Sequence, residues 1–373
     1  MAGLRGFEIN LYESALRKSG GVLQLVAPLT QFAAGVKWDV LAQGWYGTAT
    51  FAVTAPPDVL MWLYDLALEY HLEVVSPELT PGYEGFVSRL VLTLGSIKKS
   101  KTLDDLWNEV RFNFGDHQSL VASDPDSQTT WGIKRIVQSS GRSARSAVQD
   151  IADRYLDEHK DPHGDTTSSL GGESEGGARL EVTCQGYWQT LAWANYKGRN
   201  GSMDTGRQIQ RVLKQFELGA RVNHGFLSTD YAAVRLTGKT RDQEMRNTAT
   251  GQQRLLKLMN IGNSSGLRLM GGVGPGRKFF TFARPQTIDY FYDPYEVEYR
   301  DSGGAVLPKW CIEPGRFVYL QTPFPAQQPT GDPVRSPNYC QFINRVQYDL
   351  DADRIALENP DGKNILRVLA RAL

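Results

Sequence analysis

A two-residue hydrophobic period recurs along this chain and commits much of it to β-structure. GFVSRLVLTLG, beginning at Gly85, sets Phe86, Leu90, Leu92 and Leu94 on one side and Val87, Arg89, Val91 and Thr93 on the other. That predicts a long strand partly covered on both faces. Phe7, Ile9 and Leu11 alternate with Glu8 and Asn10, and WYGTATFAV from Trp45 to Val53 is rich in aromatic and β-branched residues. Val110, Phe112 and Phe114 repeat the pattern, and IKRIVQ after Trp131 is a further short candidate. In LEVTCQGYWQTLAW, Leu180 to Trp193, the side chains of Leu180, Val182 and Cys184 alternate against Glu181, Thr183 and Gln185 until Gly186 breaks the strand.

Helical spacing is rarer. PPDVLMWLYDLALEY opens with prolines and an acid, then sets Leu60, Leu63 and Ala67 on one face. SARSAVQDIADRYLDEH spaces Ala144, Val148, Ile151 and Tyr155 as an amphipathic helix, and Thr102 with Asp105 can cap a short turn. Asp161 to Ala178 carries too few apolar residues to offset its ordering entropy and reads as a flexible loop. TGRQIQRVLKQF (Thr205 to Phe216) and TGQQRLLKLM (Thr250 to Met259) echo one another and suggest two α/β units. From Phe279 onward β patterns return, with Ser302-Gly303-Gly304 marking a hairpin turn.

At 373 residues the chain is long enough for two or three domains. Lys plus Arg and Asp plus Glu number 41 each, so no global field attracts nucleic acid or an anionic membrane. Cys184, Cys311 and Cys340 are far apart and read as small buried hydrophobes of a reducing compartment. The N-terminus lacks the pattern of a signal peptide, and no window approaches a membrane span.

No constellation in the sequence reads as catalytic, cofactor-binding or metal-binding. GGVGPGRKF, Gly271 to Phe279, lacks the GK[ST] ending of a phosphate loop and precedes a strand, so it reads as a hairpin. His159 and His163 are separated by Pro162, which stops one helix from presenting both to a metal. DLDADR has alternating acids but lacks the glycine and distal glutamate of a calcium loop, which leaves a charged hairpin turn. Cys184 has no neighbouring base in the sequence and shares a face with Leu180 and Val182. The rings of Tyr187, Trp188, Trp193 and Tyr196 fit two roles: an aromatic plug at the end of a barrel, or a stacking surface for sugars with a carboxylate such as Glu181. Only Lys197 and Arg199 supply nearby positive charge, which is thin for a nucleic-acid strand.

Taken in order, several stretches resemble the tail-tip or baseplate hub proteins of long-tailed bacteriophages and related prophage elements. They are GTATFAVTAP, EGFVSRLVLTLG, KTLDDLWNEVRFNF, TTWGIKRIVQSSG, LEVTCQGYWQTLAW, LLKLMNIGNSSGLRLMGGVGPGRKFFTFARP, YDPYEVEYRDSGGAVLPKWCIEPGRFVYL and FINRVQYDLDADRIAL. The resemblance spans nearly the whole chain and lies in the order of the pieces.

It implies a predominantly β, α+β fold with two β-barrel-like domains that form six pseudo-equivalent barrels in a trimer. The expected division is residues 1–125 with 179–200 as the first β-barrel-like domain and 126–178 as a helical insertion with its Gly/Ser loop. Residues 201–284 are then an α/β middle domain, and 285–373 a second β-barrel-like domain. The implied role is structural: a central hub joining the tail tube to a distal fibre or spike, assembled in the host cytoplasm and ending in the virion. Expected partners are further copies of itself, tube, distal-tail and tape-measure proteins, and fibre or spike proteins, with no cofactor, nucleic acid or membrane anchor. Cys184, Gly186, Tyr187, Trp188, Trp193, Tyr292 and Tyr295 are the structural or interface candidates. A hexameric distal-tail ring and a carbohydrate-binding module are the alternatives.

Overall fold

The computed structural model describes residues 6–14, 23–41, 45–77, 81–115, 118–141, 144–168, 177–193, 222–227, 255–261, 277–283, 290–293, 298–301, 303–314, 316–320 and 340–358. The first half contains β1 (Glu8–Tyr12), β2 (Leu25–Pro28), β3 (Ala33–Leu41), β4 (Trp45–Val53), α1 (Pro57–Leu66), β5 (His71–Val75), β6 (Pro81–Leu94) and β7 (Ile97–Thr102). It continues through β8 (Glu109–Phe114), β9 (Gln118–Ser123), α2 (Pro125–Trp131), β10 (Arg135–Gly141), α3 (Arg145–His159), β11 (Thr166–Ser168) and β12 (Arg179–Gln185). Beyond these lie β13 (Val222–Leu227), β14 (Leu255–Ile261), β15 (Arg277–Ala283), β16 (Tyr290–Asp293), β17 (Glu298–Arg300), β18 (Val306–Leu307), β19 (Phe317–Leu320), β20 (Cys340–Phe342), β21 (Arg345–Asp349) and β22 (Arg354–Glu358). The fold is mostly β, with few helices.

One 11-stranded sheet dominates, in the order β2-β1-β5-β6-β12-β4-β3-β21-β22, with β7 joined to β6 and β11 to β7. Its centre is the alternating segment ending at Gln185: β12 runs antiparallel to both β4 and β6, with Leu180, Val182 and Cys184 turned into the core. Among the described residues no pairing joins β2 to β22, so the barrel implied by the resemblance is here an open sheet. The β21–β22 hairpin pairs with β3, which brings residues of the expected second β unit onto the N-terminal sheet. DLDADR forms the turn of that hairpin, with Ala352 N–H donating to the Asp349 carboxylate.

Local sequence explains the smaller elements. Pro57 starts α1, and Leu60 and Leu63 bury its inner face. At α2 the Asp124 side chain accepts from Ser127 N–H at 2.8 Å. That bond, together with Lys160, holds the Asp124 carboxyl below its usual range. Between β17 and β18 the Asp301 carboxylate accepts from the N–H groups of Gly303 and Ala305, while Gly304 adopts φ +85° as the hairpin turn requires.

A second, separate core lies where α3 covers one face of the three-stranded sheet β10-β8-β9. The buried stripe of α3 is Val148, Ala152 and Leu156; Ile151 is exposed, and Ala144 is the N-cap. Of the expected stripe, Val148 is buried and Tyr155 packs edge-on to Phe112, while Ala152 and Leu156 complete the inner face in place of Ile151 and Ala144.

Two further expectations meet a different outcome. Thr166–Ser168, within the expected flexible loop, pairs antiparallel with β7. Leu255–Ile261, read as part of an α/β repeat, is a strand paired with β15. A short apolar run such as LLKLMNI fits either state by periodicity, and pairing to a neighbour selects the strand. The first of the two echoing stretches, Thr205 to Phe216, and the glycine hairpin before Arg277 lie outside the described residues.

Candidate functional site

Gly186 ends β12 and a 3-10 turn, Tyr187–Trp193, folds back over the sheet. Gly186 N–H donates to the Gly47 carbonyl at 2.7 Å, and Gln189 N–H to the Gly186 carbonyl, which fixes the turn. Cys184, Tyr187 and Trp188 are all buried, and Trp193 is half-buried with its ring edge-on to Phe86 at 5.5 Å. Tyr292 occupies β16, opposite Tyr299 on one side and Leu320 on the other, and Tyr295 and Tyr196 lie outside the described residues.

The turn seals a group of polar residues that the sequence reading missed. Tyr187 Oη lies 2.5 Å from His71 Nδ1, and the two rings stack at 5.7 Å. His71 Nε2 contacts Glu73 Oε1 at 3.0 Å, and both side chains are fully buried. Alternation alone would turn His71 and Glu73 to solvent. All five residues of β5 are nevertheless buried, because the sheet packs on one side and the turn covers the other. The only sequence signal was that His71 and Glu73 alternate with Leu72 and Val74 in a short β-branched run.

A second buried contact ties the two cores together. Lys134, just before β10, puts its Nζ 4.2 Å over the Trp193 ring and 4.0 Å from Glu69 Oε1, with both side chains 1% exposed. Its backbone is held by Asn108, whose Oδ1 accepts from Lys134 N–H at 2.8 Å. Asn108 Nδ2 in turn donates to the Gly132 carbonyl and to Ser127 Oγ.

The side chains of this segment are closely packed. Burial pushes the Cys184 thiol far up, which keeps it protonated and without nucleophilic thiolate at neutral pH. His159 is spent on the Tyr155 carbonyl at 2.8 Å, and His163 lies 3.5 Å from Asp165. Among the described residues no group of three His, Cys, Asp or Glu is placed to hold a metal. A groove of about 320 Å³ runs over β3, β4, β21 and β22, where Lys37 pairs with Asp349 at 3.0 Å and Arg345 with Asp39 at 2.9 Å.

Burial also raises the phenol pKa values of Tyr46, Tyr83 and Tyr187 well above 10, and that of Tyr290 to about 12. Since these shifts raise the folded-state values, their contribution to stability is complete below pH 10 and is lost as pH rises from there through the folded values. Absorbance titration at 295 nm should therefore show these phenols ionising together with loss of near-UV circular dichroism. Ionisation near pH 10 with the fold intact would contradict the buried positions.

No family model matches the chain, and no curated protein sequence matches it. Solved structures with a similar arrangement include a component of the E. coli type VI secretion system, itself described as similar to bacteriophage T4 tail proteins. It shows 8% identity and a TM-score of 0.41, covering 94% of this chain and 77% of that one. The 43 kDa tail protein of prophage MuSo2 from Shewanella oneidensis gives 10% identity and a TM-score of 0.41 over 95% and 97% of the two chains. A tail protein from Neisseria meningitidis MC58 gives 8% and 0.37 over 94% of each. At such identities and TM-scores these likenesses carry no argument about this chain.

Proposed function

We infer that this chain is a structural component of a phage-type tail: the central hub that joins the tail tube to distal fibre or spike proteins, working as a homotrimer assembled in the host cytoplasm. The ordered resemblance along the sequence motivates the reading. The observation that carries it is the burial of the ring-bearing segment, with Tyr187 and Trp188 only 2% and 3% exposed. Sugar or base stacking needs open ring faces, and a plug needs closed ones. The same burial counts against the carbohydrate-binding alternative. A sheet-built body whose most distinctive side chains are spent on its own packing contributes shape and surface, which is what a ring component supplies.

The test is assembly. Purified protein is expected to form trimers by mass photometry and to bind tube or distal-tail proteins from the same particle. A monodisperse monomer that binds neither overturns the reading, and six subunits per ring would favour the hexameric distal-tail alternative. Glycan arrays are expected to show no binding that Trp188→Ala abolishes.

A further inference from the structure

Two bare surfaces of this chain are complementary to one another. The first is the outer face of α1. Leu60 and Leu63 point inward, leaving Val59, Met61, Trp62 and Leu66 between 39% and 49% exposed. Asp58 and Asp65 lie exposed among them, and the helix carries no basic residue. An exposed tryptophan flanked by aliphatic side chains is the composition of an interface core, with acids suited to its rim, and a solvated helix face rarely has it.

The second is the face of β10-β8-β9 opposite α3. The pairing registers place Val137, Arg111 and Val121 in one row across the three strands, with Arg135, Glu109 and Ser123 in the row before and Ser139, Asn113 and Ser119 in the row after. Val121 is 56% exposed and Val137 42%. Arg135 is matched by Glu109 at 2.6 Å. Arg111 donates from Nη2 to Ser119 Oγ at 3.1 Å, and among the described residues its Nε has no hydrogen-bond partner and no carboxylate forms an ion pair with it, which leaves it a cation between two valines. A hollow of about 530 Å³ opens beside Arg111, Asn113 and Ser139. The β8–β10 pair is parallel, and parallel sheets are ordinarily covered on both faces; among the described residues α3 covers one of them.

We propose that α1 of one copy docks on this bare sheet face in the next copy, supplying the missing helical layer. Trp62 and Leu66 pack between Val121 and Val137, and Asp58 and Asp65 provide the negative charge that Arg111 lacks. The occupant is a second copy because the acidic, apolar helix and the basic, apolar sheet belong to the same chain. Each protomer offers one of each, so the contact is heterologous and closes when the ring closes, leaving no face uncovered. A three-turn helix on three strands is a small contact beside the roughly 800 Å² per partner of a stable pair. It therefore works as one contact of a larger ring interface. The proposal rests on the self-assembly part of the hub reading and specifies its surface.

The experiment is a charge-reversal cycle on the full chain, read by sedimentation, with circular dichroism confirming that each variant folds. Trp62→Asp, Arg111→Glu and the pair Asp58→Lys/Asp65→Lys are each expected to weaken self-association about thirty-fold, the effect of losing one interface hot spot. Combining Arg111→Glu with Asp58→Lys/Asp65→Lys is expected to restore most of it, an outcome that misfolding cannot produce. If the native chain self-associates and all the variants do so equally, this interface is wrong while the hub reading survives. If the native chain stays monomeric at every concentration, both fall. If the cycle works but the rings bind no tail protein, the interface stands and the hub reading fails.

Discussion

Gly186→Ala is expected to destabilise the chain by at least about 3 kcal/mol, more than most single substitutions. A methyl group at Gly186 would overlap the Tyr46 carbonyl oxygen and come within 2.6 Å of its carbonyl carbon and 3.1 Å of its Cβ. The obstruction is backbone, so no rotamer change relieves it, and the Gly186–Gly47 hydrogen bond prevents the strand from backing away. Relief would require moving β12 off β4, at the centre of the main sheet. Because the Tyr187–Trp193 turn starts at this residue, its displacement would also open the cover over His71 and Glu73. Urea unfolding followed by tryptophan fluorescence measures the loss, and an unchanged midpoint would refute the close approach.

Lys134→Met has the second largest expected effect, about 3 to 5 kcal/mol. The substitution preserves much of the side-chain volume but removes the positive charge 4.0 Å from the buried Glu69 carboxylate and over the Trp193 ring. Lys134 borders the sheet covered by α3, whereas Glu69 and Trp193 belong to the main core, so the change also loosens the junction between the two cores. The sharper measurement is a double-mutant cycle. Glu69→Gln alone should cost a similar amount, and Lys134→Met with Glu69→Gln should cost much less than the sum, since removing both charges together leaves neither stranded. Strict additivity would mean that the two charges do not act as a pair.

Much of the strand layout was legible because period-two alternation is local: Val110, Phe112 and Phe114, or Leu180, Val182 and Cys184, announce their own buried face. Applied to β5, the same rule would put His71 and Glu73 on a solvent face, whereas both are buried. Alternation reports a half-buried strand and has no means of reporting that a later segment will cover the second face. The covering segment, Tyr187–Trp193, is more than a hundred residues away in sequence, and its rings alone did not reveal what they would cover. Helix periodicity was similarly sound for α1 and incomplete for α3, whose inner face includes Ala152 and Leu156 and leaves Ile151 exposed.

The sequence by itself determined that this chain is sheet-rich, balanced in charge, and built around strands whose inner faces are set by alternating side chains. Local sterics and side-chain periodicity are enough to decide that. Only the tertiary structure decided that β12 stands between β4 and β6, that the C-terminal hairpin joins β3, and that Lys134 meets Glu69 and Trp193. Those are long-range choices. They depend on which buried polar groups can be satisfied together and which backbones can approach closely, and neither can be read from neighbouring residues.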